Sequence, residues 1–259
     1  MSDELQKSQG SGLSSGAAGK SVDLGKRMGA IASKLAGTAA IELPRIFHQL
    51  VIFVLDGSGS MTVPGLSGRT KGKEVHEAVK AVIERLQRSK NKNCFDVSCR
   101  VYSVDDIVIL SQRLVTTVTT AGQSFDPTGH IEAKDTYVAP ALNAAREEAE
   151  AYLKANAGKR AQALIILLSD GALHDEEEAL ELTAEIKSIS GAALSTIFYG
   201  TDPRILRMRG VDEDYNEQCA EVLKEMATSE AFHTSTLDPE EVRKHMIRSI
   251  SSVSGPIED

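Results

Sequence analysis

Three oxygen-bearing side chains stand at alternate positions in the segment DGSGS, as Asp56, Ser58 and Ser60. The two hydroxyls can point at one centre, and the intervening glycines allow backbone angles that other residues resist. A second carboxylate, Asp170, follows the apolar run LIILLS. Hard cations such as Mg²⁺ prefer oxygen ligands and need only a few from the protein, because they keep several water molecules. The pattern therefore predicts a divalent-metal site.

Two apolar runs of strand length would position these residues. The segments QLVIFVL (49–55) and ALIILL (163–168) have the composition of strands that are covered on both faces. Each run ends directly before one of the polar clusters. Ligands bind beyond the carboxyl ends of the strands in an open parallel sheet. We therefore expect Asp56 and Asp170 to emerge at the same edge of one sheet.

The remaining chain alternates strand and helix signals. This alternation predicts an α/β fold with a doubly wound, mostly parallel central sheet flanked by helices. The segment 107–110 follows its neighbour too closely for a helical crossover, so it should form one short antiparallel strand. Strands are predicted at 49–55, 95–102, 107–110, 163–168, 193–199 and 231–234, and helices at 69–89, 137–154, 175–189, 215–228 and 239–253. The helix at 175–189 is expected to begin behind Asp175 as its cap and to close at Gly191.

Composition narrows the class of partner and compartment. The 259 residues are 41% hydrophobic, enough for one substantial core, and carry a net charge of −8 without a dense Lys/Arg stripe. Nucleic acid is therefore not an expected partner. Cysteine is scarce and odd in number, and no apolar stretch reaches the length of a membrane span. With an acidic Gly/Ser-rich start in place of a signal peptide, these features predict a cytoplasmic protein without an integral membrane segment.

Four segments are predicted along the chain. Residues 1–20 form a disordered Gly/Ser-rich tail, whose ending GAAGKS lacks the upstream glycine of a phosphate-binding loop. Residues 21–47 form an amphipathic helix and a linker. This helix can pack on the domain, or it can dock a partner or a membrane surface. Residues 48–254 form the main domain, and residues 255–259 form a C-terminal tail.

The order of the motifs resembles the von Willebrand factor A (vWA) domain with its metal-ion-dependent adhesion site (MIDAS). The motifs are LDGSGSM after an apolar strand, Thr136 in DTYVAPAL, LLSDG, and a strand ending in FYGTD. The resemblance covers residues 50–253, and it implies a Rossmann-like vWA fold. It departs from the family pattern at Lys134 and Asp135, where many members have two glycines, and Asp135 is expected to face solvent.

The resemblance implies a role for each site residue. Ser58 and Ser60 would bind Mg²⁺ (or Mn²⁺ or Ca²⁺) directly, Thr136 would bind it directly in one conformation, and Asp56 and Asp170 would act mainly through water. In the family, an Asp or Glu carboxylate of a partner protein completes the coordination. The implied function is a non-catalytic, metal-dependent protein-protein interaction module. Family members without signal peptides often work beside AAA-type ATPases or in stress-response assemblies, and their final helix, here 239–252, can shift.

An enzyme is the alternative that the sequence leaves open. A magnesium-dependent hydrolase or phosphotransferase of haloacid-dehalogenase-like type also places an Asp after a buried strand. That chemistry usually needs a second carboxylate two residues later, where this chain has Ser58. The Gly-x-Ser-x-Gly pattern of serine hydrolases is not matched around Ser58 or Ser60. His174, four residues after Asp170, is a weaker candidate for contact with a partner.

Overall fold

The computed structural model describes residues 45–212, 214–254 and 257. The predicted tail at 1–20 lies outside these residues. The same holds for the predicted helix and linker at 21–47, apart from residues 45–47, and for the tail at 255–259, apart from Ile257. These assignments stay predictions.

Six strands form one central sheet, and its topology confirms the predicted fold class. The strands are β1 (His48–Asp56), β2 (Phe95–Tyr102), β3 (Asp106–Leu114), β4 (Ala161–Ser169), β5 (Ala192–Tyr199) and β6 (His233–Thr236). Their order in the sheet is β3-β2-β1-β4-β5-β6. Every neighbouring pair is parallel except β2 with β3, which is antiparallel as predicted. The strand order reverses between β1 and β4, so the carboxyl ends of these two strands border a natural crevice.

Helices cover both faces of the sheet. They are α1 (Lys71–Arg88), α2 (Ala139–Ala155), α3 (Glu176–Ser188), α4 (Pro203–Met208), α5 (Tyr215–Met226) and α6 (Pro239–Ser254). One apolar layer joins α1 and α6 to the sheet through residues such as Val79 and Met246. The layer on the other face is contributed by α2, α3 and α5, with Leu142, Ile186 and Leu223 among its members. Both faces are therefore buried, which explains the continuous apolar runs of β1 and β4.

Three details differ from the sequence prediction. Strand β3 extends to Leu114, beyond the predicted 107–110. Residues 111–113 of the added part are polar and exposed, which explains why hydrophobicity underestimates the length of the strand. Strand β6 begins at His233, because residues Glu230–Phe232 form a 3₁₀ turn. Helix α4 was not predicted. It is only one and a half turns long, yet it has an Asp202 cap and Pro203 at its start, which are local signals for a helix.

Asp175 caps a different helix from the one predicted. Its side chain makes no capping hydrogen bond within α3. Instead, its carboxylate accepts the backbone N–H groups of Val138, at 3.0 Å, and Ala139, at 2.6 Å. These donors open α2, so the charge satisfies the start of α2 and joins the α2 entry loop to the α3 entry loop.

The three cysteines, Cys94, Cys99 and Cys219, are free and buried. Burial raises the pKa of the Cys99 thiol, so this side chain behaves as a small hydrophobic residue. Within the part of the chain that the structure describes, no helix has both the length and the apolarity that crossing a bilayer requires.

Candidate metal centre

The ends of β1 and β4 bring two carboxylates together. In the parallel ladder Leu55 pairs with Leu168, so Asp56 and Ser169 end adjacent strands side by side. The Ser169 hydroxyl donates to Asp56 Oδ2 at 2.8 Å, and the Asp170 N–H reaches the same oxygen at 3.4 Å. Asp56 is fully buried. Its carboxylate is therefore held in one orientation by groups from both strands.

The turn after β1 orients the two serine hydroxyls. The Ser58 N–H donates to Asp56 Oδ1 at 2.8 Å, which fixes the first half of the turn. A 3₁₀ turn, Gly59–Thr62, follows and brings Ser60 back towards Ser58, so that their Oγ atoms lie 3.0 Å apart. The predicted convergence of the two hydroxyls is present.

Space, and not backbone conformation, requires a glycine at position 57. Positive φ angles occur at other glycines of the described chain, and Gly57 and Gly59 have none. Neither glycine therefore uses the positive φ angles that its lack of a side chain would allow. A Cβ added at Gly57 would lie 2.8 Å from Val101 Cγ1 and 2.5 Å from Ile131 Cγ2, closer than carbon atoms approach. Gly57 lets the turn pass tightly against β2 and against the loop between β3 and α2.

Asp170 connects the serines to a buried lysine. Its Oδ1 accepts a hydrogen bond from the Ser60 hydroxyl. Its Oδ2 accepts from the ammonium group of Lys71 at 2.8 Å, and the two charged side chains are 0% and 1% exposed. The structure thus brings Asp56, Ser58, Ser60 and Asp170 together, along with the Lys71 ammonium group, which the sequence prediction did not include.

The loop that carries Thr136 is attached to both strand ends. The Lys134 carbonyl accepts the Gly59 N–H at 2.9 Å, which joins the loop to the turn after β1. The Thr136 carbonyl accepts the His174 N–H at 2.9 Å, and the Thr136 N–H donates to His174 Nδ1 at 3.3 Å. Thr136 is 5% exposed. The Lys134 backbone therefore lies against the turn after β1. The Asp135 side chain is exposed, as expected.

The electrostatics of the centre favour a bound cation. Burial and, next, the charge of Asp170 raise the pKa of Asp56 to about 6. Hydrogen bonds donated by Ser58 and Ser169 act in the opposite direction. Two buried carboxylates side by side are unfavourable unless positive charge lies near both of them. Lys71 supplies such charge to Asp170 only, so Asp56 still lacks a cationic partner among its described contacts.

The donor set fits a hard divalent cation. Within the described residues, no three His, Cys, Asp or Glu side chains cluster as metal ligands, so a zinc-type site is not formed there. Hydroxyl and carboxylate oxygens converge instead, which suits Mg²⁺, Mn²⁺ or Ca²⁺. When bound, such an ion would supply a Lewis-acidic centre that accepts a further oxygen ligand.

Sequence reasoning missed Lys71 and the actual role of His174. Lys71 precedes Val75, Val79 and Val82 at helical spacing, so a charged residue occupies the buried stripe of α1. A lysine in an apolar stripe is a usable signal for a buried ion pair. His174 packs its ring against Tyr137, with centroids 5.2 Å apart, and supports the Thr136 loop through the contacts above. Nothing in the local sequence indicated that support.

Fold and site together define a class of protein: a doubly wound α/β domain with an oxygen-lined polar centre where the strand order reverses. The sequence profile of the von Willebrand factor type A domain matches residues 51–244. The chain therefore belongs to the von Willebrand factor type A domain family, as its motifs predicted. A search among curated protein sequences gave no match.

Solved structures share this fold at low sequence identity. The pilus adhesin SpaC of Lactobacillus rhamnosus GG superposes with a TM-score of 0.59 at 12% identity, over 80% of this chain and 30% of that one. Manganese-loaded TRAP protein of Plasmodium vivax gives 0.54 at 16% identity, over 78% and 73%. Proximal thread matrix protein 1 from the mussel byssus, with a zinc-occupied MIDAS motif, gives 0.51 at 17% identity, over 79% and 46%. This chain thus spans less than half of the SpaC and mussel chains.

Proposed function

We propose that this chain is a metal-dependent protein-interaction module. Mg²⁺, with Mn²⁺ or Ca²⁺ as substitutes, is held by Asp56, Ser58, Ser60, Thr136 and Asp170, and an Asp or Glu side chain of a partner protein completes its coordination. The observation that carries the proposal is the chain of contacts in which the Ser58 hydroxyl meets the Ser60 hydroxyl, which in turn donates to Asp170. The zinc and manganese of the two metal-bearing structural neighbours support a divalent ion at such a centre.

Mostly neutral direct ligands explain why a partner carboxylate would bind. Ser58, Ser60 and Thr136 contribute no charge, so the ion keeps much of its attraction for an anionic oxygen. Asp56 and Asp170 are occupied by hydrogen bonds from the chain itself. Their negative charge therefore stabilises the ion without cancelling its attraction for a further anionic ligand.

Binding is favoured over catalysis by the surroundings of Asp56. A nucleophilic aspartate of a haloacid-dehalogenase-like enzyme needs a free carboxylate oxygen near its substrate. Here Oδ1 accepts from Ser58, Oδ2 accepts from Ser169, and the residue is 0% exposed. The second carboxylate of that chemistry is replaced by the Ser58 hydroxyl.

We also propose an intracellular, cytoplasmic setting, in an assembly such as a stress-response complex or one with an AAA-type ATPase. Three buried free cysteines support a reducing compartment. The family resemblance supports the assembly. Fractionation of cells that express the chain tests the setting, and recovery from a culture supernatant would contradict it.

The test combines metal binding with partner capture. The full chain should bind Mn²⁺ in a calorimetric titration, and Ser58→Ala should weaken this binding at least about tenfold, because a direct ligand is lost. Capture of a partner from cytosolic extract should disappear with chelator and with Ser58→Ala. Ser111→Ala, which removes an exposed hydroxyl on β3, is the matched control and should change neither result.

Two outcomes would contradict the proposal. Capture that survives both chelator and Ser58→Ala would place the interface elsewhere. Magnesium-dependent phosphate release that disappears with Asp56→Asn would favour the enzyme alternative.

A further inference from the structure

Lys71 is a buried ammonium group whose donors are all used. It is 1% exposed and forms the first residue of α1. Its Nζ donates to Asp170 Oδ2 at 2.8 Å, to Thr201 Oγ1 at 2.6 Å and to the Tyr199 carbonyl at 3.1 Å. An ammonium carries three protons, so each proton has an acceptor. The position of the charge is therefore fixed by three acceptors from two segments of the chain, the ends of β4 and β5.

An apolar residue would suit this place in α1 better if packing alone mattered. Lys71 continues the buried stripe formed by Val75 and Val79. Removing an ammonium from water costs several kcal/mol, and replacing a buried ion pair by apolar side chains is often neutral or stabilising. Lys71 thus fills this space at a higher free energy than an apolar residue would. Its role therefore lies in the charge that it places beside Asp170.

The charge beside Asp170 changes what the metal centre attracts. The carboxylates of Asp56 and Asp170 and the ammonium of Lys71 together leave one net negative charge. A divalent ion converts this to one net positive charge inside a region of low dielectric. The Lys71 charge repels the metal ion and so reduces the attraction of the two carboxylates for it. The net positive charge of the loaded centre is relieved when a further carboxylate joins the ion.

We propose that Lys71 makes metal binding and carboxylate binding depend on each other. It is a positioning residue that holds Asp170, and its charge weakens the ion's binding in the free domain while it strengthens the binding of an anionic ligand to the loaded domain. The factor by which the metal strengthens carboxylate binding equals the factor by which the carboxylate strengthens metal binding, because both express one coupling free energy. The inference rests on the proposed function and adds a reason why the metal would be held firmly only in the complex.

The full chain is titrated with Mn²⁺, and binding is followed by the loss of the free-ion signal in electron paramagnetic resonance. Acetate serves as the carboxylate probe, with nitrate at equal ionic strength as the reference. The neutral variants are Lys71→Met and Lys71→Gln, the second of which keeps a hydrogen-bond donor. Lys71→Arg keeps the charge. Lys73→Met removes an exposed lysine two positions further along the same helix and is the matched control.

Acetate should strengthen Mn²⁺ binding to the wild type about fivefold. The neutral variants should bind Mn²⁺ about tenfold more tightly than the wild type without acetate, and acetate should add little. Lys71→Arg and Lys73→Met should behave like the wild type. A residue that only supports Asp170 would give the opposite sign, because its removal would loosen the site and weaken Mn²⁺ binding.

Weaker or unchanged Mn²⁺ binding in folded neutral variants would overturn the inference and leave the proposed function standing. Wild-type protein that binds Mn²⁺ without any effect of acetate would also overturn it, and this measurement does not depend on how well a variant folds. Absence of Mn²⁺ binding in the wild type would instead refute the proposed function itself.

Discussion

Two buried polar clusters of this chain differ in how far their polar groups are paired within the chain. The metal centre holds two carboxylates and one ammonium at the carboxyl edge of the sheet. The second cluster lies under α6, where the Ser195 hydroxyl is shared by His245 Nε2 at 3.0 Å, Ser249 Oγ at 2.9 Å and the Phe232 carbonyl at 3.0 Å. The first cluster is charged, and the second is neutral.

The difference shows how a site and a structural joint can be told apart. Burial lowers the pKa of His245 to about 4, so its ring is neutral at physiological pH and the cluster is complete within the chain. Asp56 and Asp170 are two adjacent carboxylates, and Lys71 is the one cation among the described residues that contacts them. The metal centre therefore keeps a net negative charge. A cluster that satisfies itself fastens α6 to the sheet, whereas a cluster with surplus negative charge is prepared for a cation.

The largest expected effect is on the charged cluster. Asp170→Ala should lower the free energy of unfolding by about 3–5 kcal/mol, because it leaves the buried ammonium of Lys71 without its counter-charge. Ser249→Ala removes one neutral hydrogen bond from the other cluster and should cost only about 1 kcal/mol. Urea unfolding of both variants measures the contrast. Equal losses would mean that the ion pair does not distinguish the two regions.

A smaller effect is expected from pH, and it should appear in the neutral cluster. Since the folded pKa of His245 is about 4 and the unfolded value is about 6.5, the unfolded chain binds the proton more readily between these values. The free energy of unfolding is unaffected by this group above pH 6.5. It decreases as the pH falls below that value, and the decrease is about 3 kcal/mol at pH 4.

Subtracting the pH profile of His245→Gln from that of the wild type isolates the contribution of His245. Nearby groups, namely His233 and Arg248, stay in both proteins and cancel. A difference that stays constant between pH 7 and pH 4 would show that this ring does not titrate with a lowered pKa in the fold.

The smallest expected effect concerns the support of the Thr136 loop. His174→Ala removes the acceptor of the Thr136 N–H and the ring that packs on Tyr137, but it keeps the backbone bond between His174 and Thr136. Mn²⁺ affinity should therefore fall only about three- to tenfold. Ser111→Ala, which changes an exposed side chain on β3, is the control for calorimetry. An unchanged affinity in His174→Ala would mean that the loop needs no support from that ring.

Much of the fold follows from local patterns. Continuous apolar runs identified β1 and β4, helical spacing identified α1, and the short separation of β2 from β3 identified the one antiparallel pair. These features can be read locally because the spacing of apolar residues depends on the element itself. It does not depend on which other element packs against the apolar face. Where a segment lacks such a face, as in exposed β3 or the short α4, the boundaries were wrong or the element was missed.

The sequence by itself determined the turn DGSGS, the second carboxylate at the end of β4, and hence the chemistry of the site. The partners of these residues were decided by the tertiary structure alone. Lys71 and Asp170 are 99 positions apart in the chain, and Asp175 caps a helix that begins 36 positions before it. A lysine in an apolar stripe and an aspartate before a helix each allow several partners. Only the packing of α1 and α2 against the sheet brings one of those partners within hydrogen-bonding distance.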